Sequence, residues 1–199
     1  MRNFPDHPVV LASASAVRSR ILAGAGIEHV RDPSGLDESE IKTQNRDPAI
    51  AAGLLAEAKA AQVSERHPGA LVIGADQILD LDGFWFDKPR SRREAEANLR
   101  KLRGLSHSLL SAVSVVRDGR PLWRHVGEAR LTVREFSDAF LAAYLEQAGP
   151  DILDSVGAYR LEGLGAQLFS EIKGDYFTVL GLPLLPLLAF LRGQGIVTS

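Results

Sequence analysis

The sequence predicts an α/β fold built around a mixed, twisted sheet. Two short runs of apolar residues, 9–12 and 70–75, have the length and composition of buried strands. Between them, Asp47 and Pro48 precede a long alanine-rich stretch, in the order in which a capping residue and the first residue of a helix occur. Strand-like and helix-like segments alternate along the rest of the chain, and this alternation is typical of α/β proteins.

Capping and breaking residues set the bounds of the elements in the first half of the chain. Ser13 and Ser15 offer hydroxyl caps to a helix after the first strand, and Pro68 ends the alanine-rich helix. In chain order, the prediction is a strand over 9–12, a helix over 16–25, a helix from 48, a strand over 70–75 that ends at Asp76, and a hairpin over 78–86 with its turn at 80–83.

The second half contains two clear local signals. Ser91 and Glu94 have the spacing of a capping box at a helix start, and Asp118-Gly119 is a two-residue hairpin turn. In chain order, the prediction is a helix ending at Arg103, two antiparallel strands over 106–116 and 122–135, a helix capped by Ser137 that runs to Gln147, and a final helix from Pro183.

Length and composition indicate one globular domain. The chain has 199 residues, of which 45% are hydrophobic, enough to bury a sizeable core. No internal repeat, low-complexity tract or linker interrupts it, so we expect a single domain with two lobes over residues 1–199. The sequence contains no cysteine, which excludes a disulfide framework, a thiolate metal site and a thiol nucleophile.

The sequence also indicates location and excludes some partners. Residues 1–8 are polar and broken by proline, which predicts no secretory signal. The most apolar stretch, 180–191, carries two prolines and is shorter than the ~20 residues of a bilayer span, so it predicts a buried C-terminal helix. The net charge of -2 gives no bulk attraction to nucleic acid or anionic lipid. We expect a cytoplasmic protein without a membrane or nucleic-acid partner.

The segment after the first strand is a candidate phosphate-binding site. Ser13 and Ser15 lie at a predicted helix start, and Arg18 follows within one turn. Backbone N–H groups at a helix start and a nearby guanidinium both favour an anion. Serine caps beside a solvated arginine explain the same pattern, so the motif alone leaves both interpretations open.

Carboxylates form the second group of candidates. Asp76 follows an apolar strand, where ligands bind in open α/β sheets, and a carboxylate there can hold a divalent metal or accept a proton from water. A turn cap is the alternative. Asp37 and Glu38 are adjacent acids in a segment without clear periodicity. They could complete a metal site or belong to a hydrophilic loop.

Cations and glycines form the third group. Lys59 and Lys88 carry compact charges suited to phosphate oxygens, although most such lysines are solvated. The glycine-punctuated stretch 157–166 surrounds Glu162 and could bring the backbone close to a ligand or serve a local turn. The five histidines show no metal-ligand spacing, and we assign them no role.

In their order along the chain, these motifs resemble the Maf family, known as septum formation inhibitor-like proteins and nucleoside triphosphate pyrophosphatases. The similarity extends from Leu11 to Leu191. The motifs that carry it are Leu11-Ala12-Ser13-Ala14-Ser15 with Arg18, Gly74-Ala75-Asp76, Lys88-Pro89, Leu99 to His107, Gly157-Ala158-Tyr159, Gly174-Asp175-Tyr176 and Val179 to Leu184.

The resemblance implies both a fold and an activity. The fold is the two-lobed α/β fold of Maf and ITPase-like proteins, with an extended mixed sheet, a nucleotide cleft between the lobes and commonly a dimer. The activity is hydrolysis of a nucleoside triphosphate to the monophosphate and pyrophosphate, with Mg²⁺ or Mn²⁺. The implied roles are Asp76 as proton acceptor from water and metal ligand, Ser13, Arg18, Lys59 and Lys88 as triphosphate contacts, and Asp37 or Glu38 as the acidic position linked to metal or substrate.

Three positions depart from the commonest family pattern and bear on the base. Val17 lies in a motif that usually reads Ser-Pro-Arg-Arg, so one phosphate or base contact is absent. Gln77 and Glu162 replace a frequent threonine and glutamine, and the pair resembles the branch that acts on 7-methyl-GTP rather than on dTTP and UTP. A carboxylate can accept hydrogen bonds from guanine and favours a cationic methylated ring, whereas valine cannot stack on that ring as an aromatic could. A broader triphosphate range is the alternative.

Rival functions remain open at this point. A non-catalytic nucleotide-binding regulator of cell division is one, although Asp76, Lys59 and Lys88 together argue for turnover. Another α/β hydrolase or a sugar-nucleotide enzyme is disfavoured, because the nucleophile-elbow, dinucleotide and P-loop motifs are absent from the sequence. The cluster 92–103 contains five basic residues that could give one helix a nucleic-acid-binding face or merely a solvated one.

Overall fold

A computed structural model describes residues 8–198 of the chain. Residues 1–7 and Ser199 lie outside the described residues, and so does nearly all of the segment on which the prediction of no secretory signal rests. The strands are β1 Val9–Leu11, β2 Val30–Arg31, β3 Leu71–Leu81, β4 Phe84–Phe86, β5 Ser106–Arg117, β6 Arg120–Val133 and β7 Phe169–Lys173. The helices are α1 Ala16–Gly24, α2 Ser39–Gln44, α3 Pro48–Ser64, α4 Arg92–Leu102, α5 Asp138–Ala148, α6 Tyr176–Val179 and α7 Leu184–Gly193.

Within residues 8–198 the strands form one seven-stranded sheet. Its order is β2-β1-β3-β5-β6-β7, with β4 paired to β3. Strand β1 is parallel to β2 and β3, whereas β4 is antiparallel to β3 and β7 is antiparallel to β6. The α/β class and the mixed sheet are confirmed.

The predicted end at Asp76 of the strand over 70–75 is wrong. Strand β3 continues through Asp76 to Leu81, and the hairpin to β4 turns over Asp82 and Gly83, both at positive φ. The strand continues because Ile78 and Leu79 stay buried and keep its side chains packed. Four short elements, β2, α2, β7 and α6, were not predicted, because they have too few residues to show a period.

The chain divides into two compact units. Unit 1 contains the chain up to Asp76, Ser111–Gly127 and the chain from Tyr176, and unit 2 contains Gln77–Leu110 and Glu128–Asp175. The prediction of one domain over residues 1–199 stays a prediction.

The core of unit 1 has two sides, set by the alternation of side chains along β1. Val9 and Leu11 belong to a cluster with buried residues of α1 and α7, and Val10 and Ala12 belong to a cluster with buried residues of α3. A strand that is apolar on both faces needs such cover on both sides. The predicted C-terminal helix is confirmed as α7, which begins after Pro183 and buries three leucines. No helix in the described range has the length and hydropathy needed to cross a membrane.

Helix α3 lies very close to β3 at Gly74. A Cβ atom at Gly74 would collide with the backbone oxygen of Ala56 and come within 2.8 Å of the backbone nitrogen of Ala60. Both alanines are fully buried, so the small side chains of α3 permit this approach. Since Lys59 precedes Ala60 and Asp76 follows Gly74 by two residues, this contact brings the two charged residues together.

We predict that Gly74→Ala destabilises the protein by about 3 kcal/mol, at the upper end of overpacking costs, because backbone atoms rather than a flexible side chain oppose the new methyl group. Urea unfolding measures the loss. Gly53→Ala in α3 is the matched control, since its Cβ would meet only a Val126 methyl group at 3.8 Å and alanine favours the helix. Equal stability of the two variants would contradict the close-packing argument.

Unit 2 contains a buried histidine–tyrosine pair. His107 Nε2 lies 2.7 Å from the Tyr159 hydroxyl, and within residues 8–198 its Nδ1 has no hydrogen-bond partner. Burial lowers the pKa of His107 to about 4. A Cβ at Gly157 would collide with the Tyr159 ring, and one at Gly165 would collide with the backbone of Arg160. Local packing therefore accounts for these two glycines of the stretch 157–166.

We predict that His107 makes the protein less stable in acid. The unfolded chain takes up a proton on this residue near pH 6.5 and the folded chain only near pH 4, so acidification through this window favours the unfolded state. The loss attributable to His107 is about 3 kcal/mol. Urea unfolding at several pH values should show a flatter dependence between pH 6.5 and 4 for His107→Gln than for the unaltered protein. If the free energies of unfolding of the two proteins changed in parallel over this pH range, the prediction would be contradicted.

Candidate active site

The site in unit 1 begins with the loop between β1 and α1. Ser15 caps α1 by accepting from Arg18 N at 3.3 Å, and Ser13 Oγ accepts from Ser15 N at 3.2 Å. The predicted cap is therefore present at Ser15, whereas Ser13 bonds the backbone of the loop before the helix. Both hydroxyls bond the backbone at the helix start, so the loop already has a fixed shape without a ligand.

The Arg18 side chain connects this loop to two other segments of unit 1. Its Nη1 donates to Ser13 Oγ at 3.1 Å and to the Ala75 carbonyl at 2.8 Å, and its Nε donates to the Gly181 carbonyl at 2.8 Å. Three bonds from one planar guanidinium fix its orientation, and a lysine could not reproduce them. Arg18 thus lies beside Asp76, the residue that follows Ala75 in β3.

Lys59 lies at the centre of a charged cluster that it forms with Asp76 and Glu38. Its Nζ lies 2.6 Å from Asp76 Oδ1 and 2.6 Å from Glu38 Oε1. The side chains of Lys59 and Asp76 are only 12% and 8% exposed, so this is a largely buried ion pair rather than a solvated one. Such a pair costs desolvation on both sides, which is difficult to explain by stability alone and favours a functional role.

The two carboxylates have opposite pKa shifts. Burial raises the pKa of Asp76 above its usual range, against the opposing charges of Lys59 and Arg18. Burial also acts to raise the pKa of Glu38, but the hydrogen bonds and charges of Lys59 and Lys42 outweigh it and hold the pKa at about 2. Asp76 is therefore the carboxylate with the greater proton affinity, as a general base requires.

Asp37 and Glu38 differ in their contacts although they are adjacent in sequence. Asp37 Oδ1 accepts from Ser39 N at 3.0 Å and so helps to begin α2, whereas Glu38 reaches Lys59 and lies 2.9 Å from Lys42 Nζ. Lys42 was not among the predicted site residues. Its i,i+4 spacing from Glu38 was the signal that could have found it.

The remaining predicted site residues are divided between the two units. Val17 is half-buried and packs against the core of unit 1. Gln77, Lys88 and Glu162 belong to unit 2, where Gln77 lies in β3, Lys88 is exposed after β4, and Glu162 is exposed shortly before a 3-10 helix over Leu164–Leu168.

Three of the five basic residues in the cluster 92–103 are paired with acids in unit 2. Arg100 contacts Glu96 and Asp138, and Arg103 also contacts Asp138. Arg92 lies 2.8 Å from Glu146. These pairs neutralise much of the charge that suggested a nucleic-acid-binding face, which favours the interpretation of a solvated helix face.

Comparison with known proteins decides the family. The model of the family described as Maf-like protein matches residues 8–194. The chain belongs to the Maf family. A nucleoside triphosphate pyrophosphatase of Paramagnetospirillum magneticum is 55% identical over 94% of this chain and 98% of its own. One of Caulobacter vibrioides is 52% identical over 96% and 98%. The resemblance predicted from the sequence motifs of this Maf protein is confirmed.

A solved structure also resembles this Maf protein over its length. It is a nucleoside-triphosphatase / dITP/XTP pyrophosphatase from Mycobacterium abscessus, with 14% identity, a TM-score of 0.46 and 95% of both chains covered. A similarity of this size indicates nothing about the base or the activity of this chain.

Proposed function

We propose that the chain is a nucleoside triphosphate pyrophosphatase, which converts a nucleoside triphosphate and water to the monophosphate and pyrophosphate. Membership of the Maf family and curated relatives of that name support the proposal. The observation that carries it is the buried Lys59–Asp76 pair beside Arg18. A carboxylate with a raised pKa beside two cations combines a proton acceptor with groups that attract phosphate.

In this reaction Asp76 orients the attacking water and accepts its proton. Lys59 and Arg18 favour the ionised form of Asp76 and also attract the oxygens of the triphosphate. Ser13 and the start of α1 add a hydroxyl and the positive end of a helix. The negative charge that develops on the phosphates during in-line attack at the α-phosphorus is then stabilised by groups that are already in position. Lys88 is proposed as a further triphosphate contact.

We propose a divalent ion, Mg²⁺ or Mn²⁺, for the same site. When bound, such an ion neutralises phosphate charge and polarises the phosphoryl oxygens. Asp76 and Glu38 would hold it, since both carboxylates lie against Lys59 Nζ in one cluster and their oxygens are the hard donors that Mg²⁺ prefers. Residues 8–198 contain no group of three or more acidic or histidine ligands, which fits an ion held by one or two carboxylates and substrate phosphates. We also propose Asp37 as a ligand, and the support for this is that it is adjacent to Glu38 in the sequence.

The base preference is a separate, finer proposal. We propose Gln77, Glu162 and Val17 as specificity positions, with 7-methyl-GTP or another modified nucleotide as the preferred substrate. The support is chemical, because a carboxylate matches the N–H edge and the positive charge of a methylated guanine. The names of the curated relatives specify no base.

The first test measures pyrophosphate release by the purified protein with Mg²⁺ or Mn²⁺ over GTP, 7-methyl-GTP, UTP, dTTP, CTP and modified pyrimidine triphosphates. Metal-dependent turnover is the expected result. Nucleotide binding without release from any triphosphate would favour the non-catalytic regulator instead.

We predict that Glu162→Gln lowers kcat/KM for guanine-type bases about tenfold relative to pyrimidines, because a neutral amide accepts less strongly than a carboxylate from the N–H edge of guanine and has no charge to match a methylated, cationic ring. The same panel of triphosphates measures the ratio. The unchanged selectivity of Glu162→Gln would remove this residue from base recognition.

We propose a homodimer in the cytoplasm, without membrane or nucleic-acid partners. Light scattering coupled to size-exclusion chromatography measures the mass of the assembly, and a monomer at working concentration would contradict the dimer.

A further inference from the structure

Lys42 extends the charged cluster of unit 1 by one residue. Its Nζ lies 2.9 Å from Glu38 Oε2, while Lys59 Nζ lies 2.6 Å from Glu38 Oε1. Each oxygen of the Glu38 carboxylate therefore has its own ammonium group. A continuous line of alternating charges leads from Lys42 through Glu38 and Lys59 to Asp76.

The inner pair of this line is much less exposed than the outer pair. Lys42 and Glu38 are 30% and 32% exposed, whereas Lys59 and Asp76 are 12% and 8% exposed. A surface pair alone contributes little stability. Here, however, Glu38 of the surface pair also contacts Lys59 of the buried pair. The effect of the surface pair on geometry therefore extends to Asp76.

Glu38 needs an external constraint because its helix is short. It is the residue before α2, it makes no side-chain cap, and α2 has only six residues. A helix of this length is marginal without tertiary contacts. The pair with Lys42 spans one helical turn with the acid on the N-terminal side, which is the favourable direction.

We propose that Lys42 is a positioning residue for the pyrophosphatase reaction, an inference that rests on the proposed function. Lys42 holds Oε2 of Glu38, so that Oε1 points to Lys59. Lys59 is then shared between Glu38 and Asp76 instead of pairing with Asp76 alone. Asp76 thus keeps a lone pair for the attacking water, and Lys59 stays where it can meet the triphosphate.

Loss of Lys42 should lower turnover more than binding. In Lys42→Gln, Glu38 loses its fixed orientation and Lys59 withdraws toward Asp76, which misplaces both groups at the reacting centre. We expect kcat to fall about tenfold, with KM changed by less than about threefold, because misplacement of reacting groups acts on the chemical step. Lys42→Arg, which can hold the same carboxylate, should restore kcat to within about threefold.

The matched control is Lys173→Gln, which removes an exposed lysine that pairs with Glu171 at 3.1 Å in unit 2. It should have the kcat and KM of the unaltered protein. A kcat in Lys42→Gln equal to that of the control would overturn the proposal. So would a rise in KM alone, which would make Lys42 only an attractor of substrate, or a failure of Lys42→Arg to rescue turnover.

A second readout needs no turnover. Acetylation by an N-hydroxysuccinimide ester, followed by peptide mass spectrometry, reports how accessible the Lys59 amine is. Lys59 should react at a different rate in Lys42→Gln than in the unaltered protein and in Lys173→Gln, and Lys42→Arg should restore the original rate. If the unaltered protein releases no pyrophosphate, the proposed function fails, while this measurement still decides whether Lys42 positions Lys59. An unchanged rate would show that it does not.

Discussion

Asp76→Asn should lower kcat by about 10³-fold, the loss expected when a general base is removed. The amide keeps the size of the side chain but cannot accept the proton of water. Lys59 retains Glu38 as a partner, so the fold and nucleotide binding should persist. Pyrophosphate release measures turnover, and calorimetry with a nucleoside triphosphate measures binding.

Asp80→Asn is the matched control for that change. Asp80 also lies in β3, and its carboxylate accepts from Gly83 N at 3.1 Å in the hairpin turn. Its replacement should leave kcat within about twofold, since the asparagine oxygen can still accept this hydrogen bond. If Asp76→Asn retained the turnover of this control, Asp76 would have no part in the mechanism.

Lys59→Gln should reduce both stability and activity. It leaves Asp76 as a buried carboxylate without its closest cation, and breaking a buried pair in this way costs about 3 kcal/mol. We also expect kcat/KM to fall at least about 10²-fold, because a cation proposed to attract the phosphates is lost. Urea unfolding and steady-state kinetics measure the two effects.

The double variant Lys59→Gln/Asp76→Asn separates the two roles of the pair. It removes both charges, so it should recover much of the stability lost in Lys59→Gln while remaining inactive. A double variant as unstable as the sum of the single variants would mean that the two residues are not coupled. In that case the short distance between them would have no energetic consequence.

Local chemistry made much of the fold predictable from the sequence. Ser15, Asp47, Ser91 and Ser137 were predicted as helix caps, and each accepts a hydrogen bond from a backbone N–H two or three residues later. The Asp118-Gly119 turn was likewise predicted, and it joins β5 to β6 with both residues at positive φ. These features depend on residues within one turn of each other. Such residues are close together in the sequence, so their pattern can be recognised there.

The end of β3 could not be predicted in the same way. A charged residue after an apolar run resembles a strand end, and nothing local indicates that Asp76 can be buried within a strand. Its burial is stabilised by Lys59 and Arg18, which are far from it along the chain. The close contact of α3 with β3 at Gly74, which brings Lys59 within reach of Asp76, is likewise a contact between segments that are distant in the sequence.

By itself, the sequence determined the α/β class, the family and the list of candidate residues, because each depends on residue types in a fixed order. Only the tertiary structure decided that Glu38 rather than Asp37 reaches Lys59, that Lys42 extends the cluster, and that Arg18 is anchored on the Ala75 and Gly181 carbonyls. The reason is physical. The packing of segments that are far apart in the sequence sets these distances. The order of residue types along the chain does not indicate which distant oxygen a side chain will contact.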